Sequence, residues 1–251
     1  MEENNKKKIS LTTYIISLIT MLTVITGLVI YIVNNPKEKE VNNNSKNNIN
    51  EGEILEGPEL PYFPGCCDKP IIYLYPECET EVTVKLVKED KLSYTYPKYE
   101  DKWEVVAKPN GDLIDKKTGR NLYSLYWEGK NTKKYNNETL EEGFCVKGED
   151  TVKFLEEKLA ILGLNERETE EFIIYWLPKM ESNKYNYIRF QTKEEIEENM
   201  PLEISPKPDT TIRIMMEFKA LDEEIQVKEQ EIQRVERKGY IAVEWGGTEI
   251  I

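Results

Sequence analysis

The chain has 251 residues, of which 39% are hydrophobic and 32% charged, with a formal net charge of −13 and no histidine. The missing imidazole excludes Ser-His-Asp and Cys-His mechanisms and histidine-ligated metal sites, unless another chain lends the residue. The acidic balance argues against nucleic acid as a partner, because such binding needs clustered Lys and Arg.

Residues 1–8 form a short stub with three Lys and two Glu. Residues 9–33, ISLTTYIISLITMLTVITGLVIYIV, carry no charge. As a helix this stretch is roughly 37 Å long, enough to cross a hydrocarbon core of about 30 Å with some tilt. It ends in Ile30, Tyr31, Ile32 and Val33 and not in the small residues of a cleavage site, so it reads as an uncleaved anchor in the lipid bilayer. Three lysines before the span against Lys37 and Lys39 after it favour a cytoplasmic N-terminus and an extracytoplasmic body at the cell membrane. Residues 34–64 are rich in Asn, Lys and Glu, with too few apolar side chains to offset the entropy of ordering, and read as a disordered tether. The stub contributes +1 and the tether −3, leaving −11 on residues 65–251.

The body opens on CCDKPIIYLYPECE, in which Pro70 and Pro76 bracket an apolar strand. Val82, Val84 and Leu86 alternate with polar residues, as do Trp103, Val105 and Ala107, at the period of half-buried strands. LSYTYP suits another strand. Asn110-Gly111 and Thr118-Gly119 read as hairpin turns, the second leading into NLYSLYWEG. The expected arrangement is a meander of short antiparallel strands.

Helices follow. Asp150 is a candidate N-cap for a segment with Val152, Leu155, Leu159 and Leu162 on one face, stopped by Gly163. Asn165 with Glu168 marks a capping box for a second helix, which Pro178 is expected to end. Thr192 with Glu195 marks a brief third one. Strands then return at Tyr185 to Phe190, at Thr211 to Ala220 and at Tyr240 to Trp245, the last closed by Gly246 and Gly247. Ile212, Ile214, Met216 and Phe218 face one way, and Arg213, Glu217 and Lys219 the other. The fold class is therefore α+β: a single-pass N-terminal transmembrane helix followed by a mainly antiparallel, β-rich domain over residues 65–251 with a helical-hairpin insertion. A two-domain split near residues 130–148 is the alternative.

Chemistry has few candidates. Glycoside hydrolysis needs two carboxylates about 5 to 9.5 Å apart, and Glu128 and Glu244, each beside a Trp and a Gly at a strand end, are the pair that would supply it. Among aromatic residues, Tyr73, Tyr75, Trp127 and Trp245 are the candidate binding side chains for a wall glycan or peptide, with Tyr94, Tyr96, Tyr123 and Tyr126 also half-exposed. Cys66 and Cys67 are adjacent, while Cys78 and Cys145 stand far from them and from each other, a spacing unlike two zinc knuckles. Outside the membrane an even count permits disulfides among Cys66, Cys67, Cys78 and Cys145, with the pairing open. No metal or cofactor is expected.

The segments CDKPIIYLYPE, TYPKYEDKWEVVAKPNGDL, GEDTVKFLEEKLAILGLNE, FIIYWLPKME and VEWGGTE together resemble an uncharacterised family of bacterial, largely clostridial, surface proteins. The resemblance spans most of residues 66–249 and implies an extracytoplasmic setting. It brings no catalytic residues. The reading is a membrane-anchored binding or structural module of the cell surface, with a carboxylate-pair glycan hydrolase as the alternative.

Overall fold

The computed structural model describes residues 66–130 and 140–250. The stub, the anchor at residues 9–33 and the tether at 34–64 lie outside the described residues. Among the described residues no helix is long and apolar enough to cross a membrane.

In chain order the strands are β1 (Cys66–Tyr75), β2 (Thr80–Leu86), β3 (Leu92–Tyr96), β4 (Trp103–Ala107), β5 (Leu113–Asp115), β6 (Asn121–Leu122), β7 (Leu125–Lys130) and β8 (Glu142–Lys147). Helices α1 (Thr151–Ile161) and α2 (Glu166–Met180) then lead to β9 (Tyr185–Phe190), α3 (Lys193–Asn199), β10 (Leu202–Ser205), β11 (Thr210–Leu221), β12 (Lys228–Glu229) and β13 (Ile241–Glu249). These strands form an eight-stranded sheet, ordered β12-β8-β9-β11-β13-β1-β7-β3, and a five-stranded sheet, β10-β2-β4-β5-β6. All the pairings are antiparallel except β11 with β13 and β12 with β8. The class is α+β with mainly antiparallel sheets. Strands from before residue 130 and after residue 140 share the large sheet, so the chain does not divide there.

The period of two builds three layers. Ile71 and Tyr73 of β1, Ile188 of β9, Ile212, Ile214 and Met216 of β11, and Val243 and Trp245 of β13 bury one face under Leu155 and Leu159 of α1 and Phe172, Trp176 and Met180 of α2. The alternate residues Ile72, Leu74, Met215 and Ala242 bury the other face against Val82, Val84, Leu86, Trp103 and Val105 of the small sheet. Each of these larger side chains contributes about 1.5–3 kcal/mol by leaving water.

The expected meander is replaced by an exchange between sheets. β2, β4, β5 and β6 join the small sheet, whereas β3 crosses to pair with β7 in the large one. The hairpin turns hold, with Gly111 at φ +89° closing β4 onto β5. The α1–α2 hairpin sits between β8 and β9, which pair with each other. The capping boxes at Asn165–Glu168 and Thr192–Glu195 are both present, whereas Asp150 makes no side-chain cap. Helix α2 runs through Pro178 to Met180; proline in the last turn forgoes a single backbone bond, and burial of Trp176 and Met180 holds the turn. β1 starts at Cys66 and not at Pro70, with a bulge between Asp68 and Ile71 where Lys69 takes φ +54° and Pro70 needs no ladder N–H.

β13 continues through Gly246 and Gly247, which do not close it. A Cβ at Gly246 would meet the Pro70 backbone at 3.0 Å, and one at Gly247 would lie 2.6 Å from the Met216 carbonyl oxygen and 2.7 Å from the Trp176 ring. The two glycines let the bulge of β1 and the indole of α2 approach the sheet. Gly247→Ala is accordingly expected to lower stability by about 2 kcal/mol through overpacking, read as a lower urea midpoint with an unchanged slope.

Candidate functional site

A concave region begins where two strands part. β9 pairs with β11 from Met216 to Leu221. Gln191 then donates its N–H to the Met215 carbonyl at 2.9 Å, and Thr192 caps α3 and turns the chain away. Phe190 is completed by a side chain in place of a strand: its N–H donates to Gln230 Oε1 at 2.9 Å and its carbonyl accepts from Gln230 Nε2 at 2.7 Å. Upstream of Met215, residues 211–214 of β11 therefore have no strand beside them on that edge among the described residues. They border a cleft of about 750 Å³. Its walls are Glu197 and Lys193 of α3, Leu202 and Ile204 of β10, and Ile232 and Val235 of the crossover that joins β11 to β13.

One wall is fixed by a buried charge network. Arg213 Nε donates to Glu244 Oε2 at 2.6 Å, its Nη1 to Glu197 Oε1 at 2.8 Å and its Nη2 to the Met200 carbonyl at 2.8 Å. Trp127 Nε1 donates to the other Glu244 oxygen at 2.8 Å. The Arg213 and Glu244 side chains are 5% and 1% exposed. Burial opposes the Arg213 charge, but Glu244 and Glu197 outweigh it and hold the guanidinium above its ordinary pKa. A second arginine repeats the design, with Arg189 donating to Glu217 Oε2 at 3.1 Å and to Glu195 Oε2 at 2.7 Å, while Gln191 donates to Glu217 Oε1 at 2.8 Å. Two arginines thus tie α3 to the sheet.

The candidate carboxylates do not meet. Glu244 and Leu125 both stand opposite Ile72 on β1, which puts Leu125, Trp127 and Glu244 on the face toward the small sheet. Glu128, next to Trp127, points to the opposite face. With both Glu244 oxygens engaged, the pair has neither the common cleft nor the free oxygens that glycoside hydrolysis needs.

The four candidate binding aromatics divide in the same way. Trp127 lies on the small-sheet face as the donor to Glu244, and Tyr73, Tyr75 and Trp245 gather under α2 on the other. The Tyr73 ring stacks 6.4 Å from both Tyr75 and Trp245, and its hydroxyl donates to Glu171 Oε2 at 2.6 Å. Lys69 Nζ lies 4.7 Å over the Tyr175 ring, and Arg237 covers Tyr75 at 5.2 Å. These residues form the seam between sheet and helix, in which Tyr73 and Trp245 are buried and Tyr75 is half-buried. Among the described residues Tyr94, at 68%, Tyr96 and Tyr123 are the exposed tyrosines. The thiols of Cys78 and Cys145 are free, that of Cys145 accepting the Ile225 N–H at 3.4 Å. The side chains of Cys66 and Cys67 lie outside the described residues.

Sequence reasoning missed Arg213, Glu197, Gln191 and Gln230 as site residues. The available signal was the alternation IRIMMEF, in which Arg213 and Glu217 share a face with apolar Met215. A scan against protein-family models finds no match, and neither curated proteins nor solved structures match the chain.

Glu244→Gln leaves Arg213 buried with its charge undercompensated, and a loss of about 3 kcal/mol is expected in urea denaturation. Arg213→Met combined with Glu244→Leu should recover more than half of that loss. Burial raises the hydroxyl pKa of Tyr73, with Glu171 adding to it, that of Tyr75, with Glu168 adding to it, and that of Tyr240. Above the ordinary value of 10 the folded chain keeps protons that the unfolded chain loses. Stability is therefore unaffected below that pH and falls above it, by up to about 1.4 kcal/mol per pH unit for each proton retained. Tyrosinate absorbance should show these groups ionising only together with unfolding.

Proposed function

We propose that the protein is a membrane-anchored binding or interaction module of the cell surface, with the cleft beside β11 as its ligand seat. The observation that carries this reading is the cleft itself: about 750 Å³, walled by elements that the buried side chain of Arg213 and the half-buried Arg189 hold in place. A site pre-formed in this way binds without the cost of ordering its walls. The uncharged residues 9–33 support a single-pass anchor with the N-terminus in the cytoplasm, and the tether at 34–64 suits a body held away from the bilayer. The resemblance to bacterial surface proteins supports the same extracytoplasmic setting, where wall glycan or peptide is the available ligand. A carboxylate-pair hydrolase receives no support, since Glu128 and Glu244 point to opposite faces of the sheet.

Two measurements test this. Protease added to intact protoplasts should digest the body without lysis, and survival of the body until lysis would place it in the cytoplasm. Full-length protein should be retained on isolated cell-wall material, Thr211→Trp should reduce retention at least tenfold by filling the cleft, and Tyr94→Ala with Tyr96→Ala should leave it unchanged. The reverse pattern, or no retention of the unaltered protein, overturns the cleft as the seat.

A further inference from the structure

We infer that the cleft takes an extended peptide, which adds to β11 as a strand antiparallel to it and in line with β9. This rests on the reading of the cleft as the ligand seat and names the chemistry that the seat selects.

The backbone polarity of β11 is established by its existing bonds. Thr210 donates its N–H to the Tyr240 carbonyl at 3.0 Å, and the Phe218 carbonyl accepts from Ile250 at 2.8 Å, so even-numbered residues turn their backbone groups toward β13. Odd-numbered residues turn theirs to the other side, as the Met215 carbonyl does in accepting from Gln191. Thr211 and Arg213 consequently aim two N–H and two C=O groups into the cleft, spaced about 6.6 Å apart along the strand. A row of this kind is the template for strand addition.

Other ligand chemistries find less to hold. Sugar rings need aromatic faces, and among the described residues Phe190, 4% exposed, is the only aromatic one lining the cleft. Tyr94 and Tyr96 stand on β3, at the far rim of the large sheet. Charge does not select either. Lys193, Lys207 and Arg213 are matched by Glu194, Glu197 and Glu231 around the cleft, in a chain of net charge −13. What remains is backbone hydrogen bonding between two walls of different character. Ile212 is packed in the helix-side core with Ile232 and Val235 against it, whereas Arg213 and Glu197 lie on the opposite face. The fitting ligand is an uncharged segment of four to six residues that alternates apolar and small polar side chains.

Registry makes the expectation specific. In the β9–β11 ladder Arg189 and Glu217 stand opposite each other and share a face. Peptide residues opposite Thr211 and Arg213 would likewise put their side chains on the small-sheet side and their amides toward β11. In a capped Val-Thr-Val-Thr-Val-Thr peptide these are the threonines, while the valines face Ile212 and turn their amides outward.

The test uses the full-length protein in detergent micelles with four probes: this hexapeptide, the same peptide N-methylated on its three threonines, the same N-methylated on its valines, and a hexamer of N-acetylglucosamine. The parent peptide is expected to bind and to slow amide exchange at Thr211 and Arg213. Methylation of the threonines should weaken binding at least tenfold and methylation of the valines less than threefold. Raising salt from 0.05 to 0.5 M should change affinity less than twofold. Thr211→Pro, which removes one cleft-facing N–H and leaves the β13 ladder intact, should weaken binding at least tenfold. Equal binding of the two methylated peptides, or no amide protection by the parent, overturns strand addition, and the seat itself survives if Thr211→Trp still blocks retention on wall material. Binding of the sugar hexamer alone replaces the peptide by a glycan. If Thr211→Trp blocks nothing, the cleft reading fails together with this one.

Discussion

The contact between Arg213 and Glu244, 2.6 Å long and nearly dry, sets the registry on which the rest of the fold is built. The two residues are direct partners in the parallel β11–β13 ladder, in the centre of the large sheet. Because side chains alternate faces, a slip of one residue would bring Arg213 opposite Val243 or Trp245, whose side chains lie in the helix-side core. The charge would then be buried without a partner, at a cost of several kcal/mol. An apolar pair would impose no charge penalty on a slip, leaving the close approaches at Gly246 and Gly247 to oppose it. The ion pair therefore adds little net stability against well-packed apolar residues, and contributes selection of one pairing over its neighbours.

The same pair decides what happens at the surface. Arg213 has donors left over after Glu244, and they reach Glu197 and the Met200 carbonyl, so α3 is positioned by the centre of the sheet. Helix α3 has only seven residues, too short to be stable by itself. Its capping box, the Arg189 contact to Glu195 and burial of Ile196 supply what length does not. A cleft wall made in this way resists displacement, because moving it would break the ion pairs of Arg213 with Glu197 and of Arg189 with Glu195 at once.

Most local signals were legible in the sequence, the N-cap expected at Asp150 and the helix end expected at Pro178 excepted. The capping boxes at Asn165 and Thr192, the turn at Gly111 and the period-two strands all read correctly, since each depends on residues within a few positions of one another. Long-range features did not. Nothing near LSYTYP tells β3 to leave its neighbours and join β7, and Gly246 and Gly247 looked like a strand end because their reasons, Pro70 and Trp176, come from distant parts of the chain. The site was harder still. Glu244 was singled out for its neighbouring Trp and Gly, but the residue that commits it is Arg213, thirty-one positions away, and the alternation that set Arg213 on the face opposite Ile212 and Ile214 is the same for a sheet covered on one face or on two.

The cleft also shows how the fold manages an open strand. Natural sheets end in short or charged strands, and here β12, at one rim, has two residues, both exposed, Lys228 and Glu229. The unpaired stretch of β11 is of another kind. It lies inside the sheet, because β9 stops at Phe190 and Gln230 satisfies its last backbone groups with a side chain. An ordinary strand in that place would close the sheet by extending β9 five residues further, to stand opposite Thr211. The Thr192 capping box turns the chain away instead. The edge this leaves is recessed between α3 and the crossover, out of reach of another flat sheet but open to a single extended chain. The features that protect it from aggregation are thus the same ones that define what can enter.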